Sequence, residues 1–161
     1  MPTAAVHVLF LSDRNAAYSL LAEAILRVEG NGRFRAYSAG LEPAPAASAD
    51  VLNFLAARHI PVQGLHPKSL LELEADHAPT LQFVIALSHE AAIVANERPW
   101  RGDPLVTDWT LDEEATTSPS SSAIRDAFWT LSRRLRIFAG LAQRKGTRRS
   151  LQNRLQGLQA I

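Results

Sequence analysis

FLSDRNAAYSLLAEAIL, residues Phe10 to Leu26, runs from an apolar strand end through a short polar loop into a helix of small and aliphatic residues. A strand that enters a helix N-terminus in this way aims unpaired backbone N–H groups and the positive end of the helix dipole at one point, a natural seat for an anion. The loop comprises Ser12, Asp13, Arg14, Asn15, Ala16, Ala17, Tyr18 and Ser19. It contains no glycine, which argues against a dinucleotide site, where backbone must approach a pyrophosphate closely. It has no lysine and no thiol, and it carries an acid.

The flanking chain supplies the architecture. Val6 to Leu11 is apolar without alternation, as expected of a strand covered on both faces. A helix is predicted from Ala17 to Val28, with Leu20, Leu21, Ala24, Ile25 and Val28 on one face and Gly30 to Gly32 ending it. A second strand is expected at Phe34 to Ala39, and a helix capped by Ser48 or Asp50 runs to Arg58. Further on come a short helix at Leu70 to Ala75, a buried strand at Phe83 to Leu87, a helix near Glu90 to Asn96 and a strand at Leu105 to Thr107. After the loop TTSPSSS a long helix begins near Ala123, with Ile124, Phe128, Leu131, Leu135, Phe138 and Leu141 as its buried face. Strands alternating with helices predict an α/β fold: one three-layer domain, a four-stranded parallel sheet with helices on both faces. Ligands in such sheets bind at the carboxyl ends of the strands, where the opening loop lies.

Composition narrows the chemistry. With 17 basic and 16 acidic residues the formal charge is +1, which identifies neither a nucleic-acid binder nor an acidic solvating chain. Nine of the 17 basic residues nevertheless lie from Arg125 onward, against one acid, Asp126. There is no cysteine, so disulfides, thiolate metal sites and a cysteine nucleophile are excluded. The five histidines, His7, His59, His66, His77 and His89, show no metal-ligand spacing, so neither a metal nor a cofactor is expected. The N-terminus has no basic n-region, and His7 and Ser12 interrupt its apolar run; it reads as neither signal peptide nor spanning helix, and a cytoplasmic location is expected.

From Val6 to Phe138 the chain resembles the low-molecular-weight protein tyrosine phosphatases, and more closely their thioredoxin-coupled arsenate reductase relatives. VLFLSDRNAAYSLLAEAIL is similar to their phosphate-binding loop and first helix. YSAGLEP, HPKSLLEL, FVIALSHEA, DWTLDEE and AIRDAFWTLSRRLRIF follow in the family's order. The resemblance implies the low-molecular-weight phosphatase fold, a Rossmann- or flavodoxin-like arrangement, over residues 1–143, with 144–161 as a basic helical extension. It also implies that the loop should open with a nucleophilic cysteine and close with a phosphate-gripping arginine, positions held here by Ser12 and Tyr18. The family's acid aspartate falls on Glu113, beside Asp112, and the proline that follows it falls on Glu114. Asp103-Pro104 has the dipeptide on the wrong side of Trp109. Ser88 and the neighbourhood of Ala95 stand where the reductases carry relay cysteines. Asn15 and Ser19 match positions that hold the loop in shape.

Two readings of each site residue follow. Ser12 fills or caps the loop, or acts as an unorthodox nucleophile; Tyr18 packs over the former pocket, or contacts a ligand. Asp13 and Arg14 form a solvated pair or a recognition element, and Asp112 and Glu113 an exposed acidic loop or water-activating groups. The function expected is a catalytically inactive family member that binds a small anion or a protein partner. The alternatives are a phosphatase or arsenate reductase working through Ser12 and Glu113, and a scaffold self-associating through the basic arm. That arm carries Leu151, Leu155 and Leu158 at helical spacing, and reads either as a solvated extension or as an amphipathic segment that docks on a partner or a second copy. Neither membrane nor nucleic acid is an expected partner.

Overall fold

A computed structural model describes residues 4–74, 78–111, 117–142 and 146–161. Four strands, β1 (Val6–Ser12), β2 (Phe34–Gly40), β3 (Phe83–Ala86) and β4 (Leu105–Asp108), form one parallel sheet in the order β2-β1-β3-β4. The helices are α1 (Tyr18–Glu29), α2 (Ala49–Ala57), α3 (His89–Glu97), α4 (Ser121–Leu141) and α5 (Arg148–Gly157). A 3-10 helix, Leu70–Leu73, lies within the short helix expected at Leu70 to Ala75, whose last residue is outside the described residues, and a second, Leu158–Ala160, follows α5.

Alternation along β1 divides the core. Val8 and Phe10 pack on the side of α1 and α4, while Leu9 and Leu11 pack on the side of Ala91, Ala92 and Ala95 of α3. Every side chain from Val8 to Leu11 is fully buried, which explains the unbroken apolar run of a strand covered on both faces. Phe138 of α4 anchors the larger side, with its ring 5.6 Å from Phe34, 5.0 Å from Phe83 and 6.1 Å from Trp109. Short polar residues start the helices: Ser48, Ser88, Ser120 and Thr147 each accept an N–H bond from the first turn of α2, α3, α4 and α5. α1 has no such side-chain cap; Ala17 stands at its start.

The basic extension folds back on the domain. Leu155 and Leu158 are buried in the same core as Phe138, and Leu151 packs against that core. The arm's leucines therefore face its own chain.

Candidate functional site

The opening loop sits at the carboxyl end of β1, where the two neighbouring strands also end. Its outer side is tied down: the carbonyls of Ser12, Asp13, Arg14 and Ala16 accept from the N–H groups of Leu41, Glu42, Ala44 and Ser48 at 2.7–3.0 Å. The N–H groups of Asp13, Arg14, Ala16 and Ala17 make no such bond among the described residues. Carbonyls consumed on one side, with those four amides left out of the backbone bonding, give the loop the polarity of an anion cradle.

Asn15 holds that shape. Its φ of 51° lies in the left-handed region, where asparagine is among the better-tolerated residues. Three hydrogen bonds fix it: its N–H donates to Ser12 Oγ at 3.0 Å, its Nδ2 to Ser19 Oγ at 2.8 Å, and its Oδ1 accepts from Lys68 N at 2.9 Å. Gly40 of β2 passes so close that a Cβ there would sit 3.0 Å from the carbonyl carbon of Arg14 and from Asn15 Cβ. The glycine is required by the approach, not by its φ.

Ser12 is fully buried, and its hydroxyl shares a 2.8 Å bond with Ser19 Oγ. Tyr18 is also buried, in the core beneath the loop. Asp13 turns toward α3 and accepts from Ser88 Oγ at 2.7 Å, so Ser88 both caps α3 and steadies the loop. Ala95 is buried in the smaller core. Arg14 approaches Glu42 to 3.9 Å. Asp13, Arg14, Leu41, Glu42 and Glu90 line a depression of about 340 Å³ outside the loop. Three carboxylates against one guanidinium give that mouth an acidic character.

Beneath the loop lies a network of charges that sequence reasoning passed over. Glu23 of α1 is 3% exposed; Ser38 Oγ donates to it at 2.5 Å, Arg27 at 2.5 Å, and Lys68 Nζ stands 3.8 Å away. Lys68 Nζ also donates to His66 O at 2.7 Å and to Ser38 Oγ at 3.3 Å, and Lys68 O accepts from Gly40 N at 2.8 Å. Burial pushes the Lys68 ammonium below its ordinary pKa, with Glu23 and Glu72 opposing the shift. One residue thus joins the loop, β2 and α1. The signal in the sequence was a lone acid, Glu23, inside the apolar run LLAEAIL.

Asp112, Glu113 and Glu114, the acidic residues after Trp109, lie outside the described residues, as does His77. Asp103 lies close to Arg148 of α5, 3.6 Å away. Among the described residues no group of three His, Cys, Asp or Glu could hold a metal ion, and no helix is long and apolar enough to cross a membrane.

A family model described as low molecular weight phosphotyrosine protein phosphatase matches residues 7–100. The chain belongs to this family. No curated protein matches it. Among solved structures, a thioredoxin-dependent arsenate reductase from Corynebacterium glutamicum is similar over 89% of this chain and 66% of its own, at 21% identity and a TM-score of 0.64. An arsenate reductase from Archaeoglobus fulgidus matches 83% of this chain and 98% of its own, at 22% identity and a TM-score of 0.65. The arginine phosphatase YwlE, in a mutant with a phosphorylated active site serine, matches over 91% and 99%, at 20% identity and a TM-score of 0.64. At these identities the structural likeness establishes the fold: the α/β low-molecular-weight phosphatase arrangement, in a member without any cysteine.

Proposed function

We propose that this family member is catalytically silent and works as a binding or regulatory module, with the loop Ser12–Ser19 as its recognition element and the cytoplasm as its location. The observation that carries the reading is the condition of Ser12. Its hydroxyl is buried, and its hydrogen-bond partners are Ser19 and the Asn15 amide, neither of them a base. A helix terminus and nearby donors can turn a thiol of pKa about 8.5 into a thiolate, whereas a serine hydroxyl needs a positioned base. Tyr18 adds a second loss, because a guanidinium would offer a dianion two charge-assisted hydrogen bonds and a phenol offers at most one neutral donor. The retained amide polarity supports binding, and the acidic mouth sets a limit on it: free phosphate should bind weakly.

Calorimetric titration with phosphate, then with vanadate, tests the module. Saturable binding that Asn15→Ala weakens supports a working cradle. Heats no larger than dilution would mean that the loop no longer recognises anions, and the reading of Ser12–Ser19 as recognition element would fall.

A second reading has one specific observation in its favour, the YwlE mutant with its phosphorylated active site serine. Ser12 would then work as an unorthodox nucleophile: its Oγ forms a bond to phosphorus as the bond from phosphorus to the donor's leaving group breaks, and the hydroxyl proton goes to the departing oxyanion. Release of the phosphoryl group is slow without an activated water, so the product would persist as phosphoserine. Intact-mass measurement after incubation with acetyl phosphate, with Ser12→Ala as control, decides it; an unchanged mass ends this reading.

A further inference from the structure

β4 is the outer strand of the sheet, and its outward-facing backbone groups belong to alternate residues. The N–H groups of Leu105 and Trp109 point inward, to Gln82 O and Ala86 O, so Pro104, Val106 and Asp108 present their polar groups to the open side. An outer edge of this kind is a template for pairing with another chain.

α5 meets that edge one turn at a time. Arg148 donates to Pro104 O at 3.1 Å, Gln152 Nε2 to Val106 O at 3.1 Å, and Gln156 Nε2 to Asp108 O at 3.0 Å. Gln156 Oε1 also accepts from Asp108 N at 3.1 Å and from Thr107 Oγ1 at 3.0 Å. The match has a geometric cause: four helical residues rise about 6 Å, close to the roughly 6.6 Å spanned by two strand residues. Side chains at every fourth helix position therefore keep step with every second residue of the strand. The amide of glutamine carries the same donor and acceptor as a peptide group, so Gln152 and Gln156 substitute for the backbone of a neighbouring strand.

A second set of contacts fastens the helix end. Trp109 Nε1 donates to Leu155 O at 2.9 Å, and Arg134, which is buried, donates to Gln159 O at 2.8 Å. Leu155 and Leu158 complete the attachment.

We propose that α5 is an edge strap: it keeps β4 from pairing with β4 of a second copy, and its displacement opens that edge to a two-fold, antiparallel association. The basic arm then acts oppositely to a self-associating arm, which would join copies by its presence. Two features favour a second copy as the occupant once the strap leaves. β4 is β-branched at Val106 and Thr107, and a two-fold axis brings identical edges together in complementary register without any further sequence requirement.

The test uses the full chain with Gln152→Glu and Gln156→Glu together, which place carboxylates against the carbonyls of Val106 and Asp108 while leaving the leucines in place. Light scattering should give the wild type the mass of one chain, and should give the variant a concentration-dependent mass approaching two chains. Excess peptide of residues 148–161 should return the variant to one chain, and exchange of the Asp108 amide should be roughly tenfold faster than in wild type. If the double variant does not fold, Gln156→Leu, which removes the bonds to Asp108 and Thr107 at similar volume, decides by the same shift in mass. A folded variant that stays at one chain across the concentration range overturns the proposal, and so does a wild-type dimer that the substitutions dissociate.

Discussion

Replacing Lys68 with methionine removes the ammonium from the network under the loop and leaves the volume nearly unchanged. Glu23, 3% exposed, would keep Ser38 and Arg27 but lose the cation 3.8 Å away. Removing one partner from a buried ion pair costs about 3–5 kcal/mol when the remaining charge is left alone. Here a second cation and a hydroxyl stay in contact, so the expected loss is about 2–3 kcal/mol, or roughly 5–10 °C in Tm for a domain of this size. Denaturant unfolding of Lys68→Met against wild type measures it, with Arg27→Met as comparison. Arg27 is 34% exposed, so its pairing is partly screened and its loss should cost the smaller amount, about 1 kcal/mol. The pH dependence has a definite sign. Burial lowers the Lys68 pKa below its ordinary value of 10.5, so between the folded pKa and 10.5 the unfolded chain binds more protons and wild-type stability gains with rising pH. Lys68→Met lacks that contribution, and the gap between the two proteins should widen toward pH 10.5. Equal stabilities within about 0.5 kcal/mol, or a larger loss for Arg27→Met, would refute this account of the network.

Asn15→Ala removes two side-chain hydrogen bonds and places a Cβ residue without asparagine's local bonding at φ 51°, so about 2–4 kcal/mol should be lost in chemical denaturation. Asn15→Gly should lose less, because it relieves the backbone. Gly40→Ala drives a methyl group to 3.0 Å from the backbone of Arg14, and a cost of about 1–3 kcal/mol is expected, read as a lowered denaturation midpoint. Phe138→Ala empties a site bounded by Phe34, Phe83 and Trp109 and should cost about 3–5 kcal/mol in the same experiment.

Much of this fold was legible in the sequence because its signals are local. The apolar run Val6 to Leu11, the cap at Ser48 and the stripe of α4 each state their own element, and alternation of strand with helix leaves a parallel sheet as the arrangement. The loop was legible for the same reason: strand end, polar turn and helix start are contiguous. Glu23, Ser38 and Lys68 were not, since they come from three separate segments and their meeting depends on how β2 and the following connection pack against α1. Arm residues show a different limit. The stripe Leu151, Leu155 and Leu158 announces an amphipathic helix but not what it packs against, and the glutamines beside it, Gln152 and Gln156, acquire meaning only when the edge of β4 lies opposite them.

The central claim is that the cradle outlived its chemistry. The most direct measurement is the initial rate of aryl phosphate hydrolysis by purified wild-type protein and by Ser12→Ala. The account predicts rates no greater than buffer for both. Turnover by the wild type that Ser12→Ala abolishes would contradict it and would make Ser12 a nucleophile.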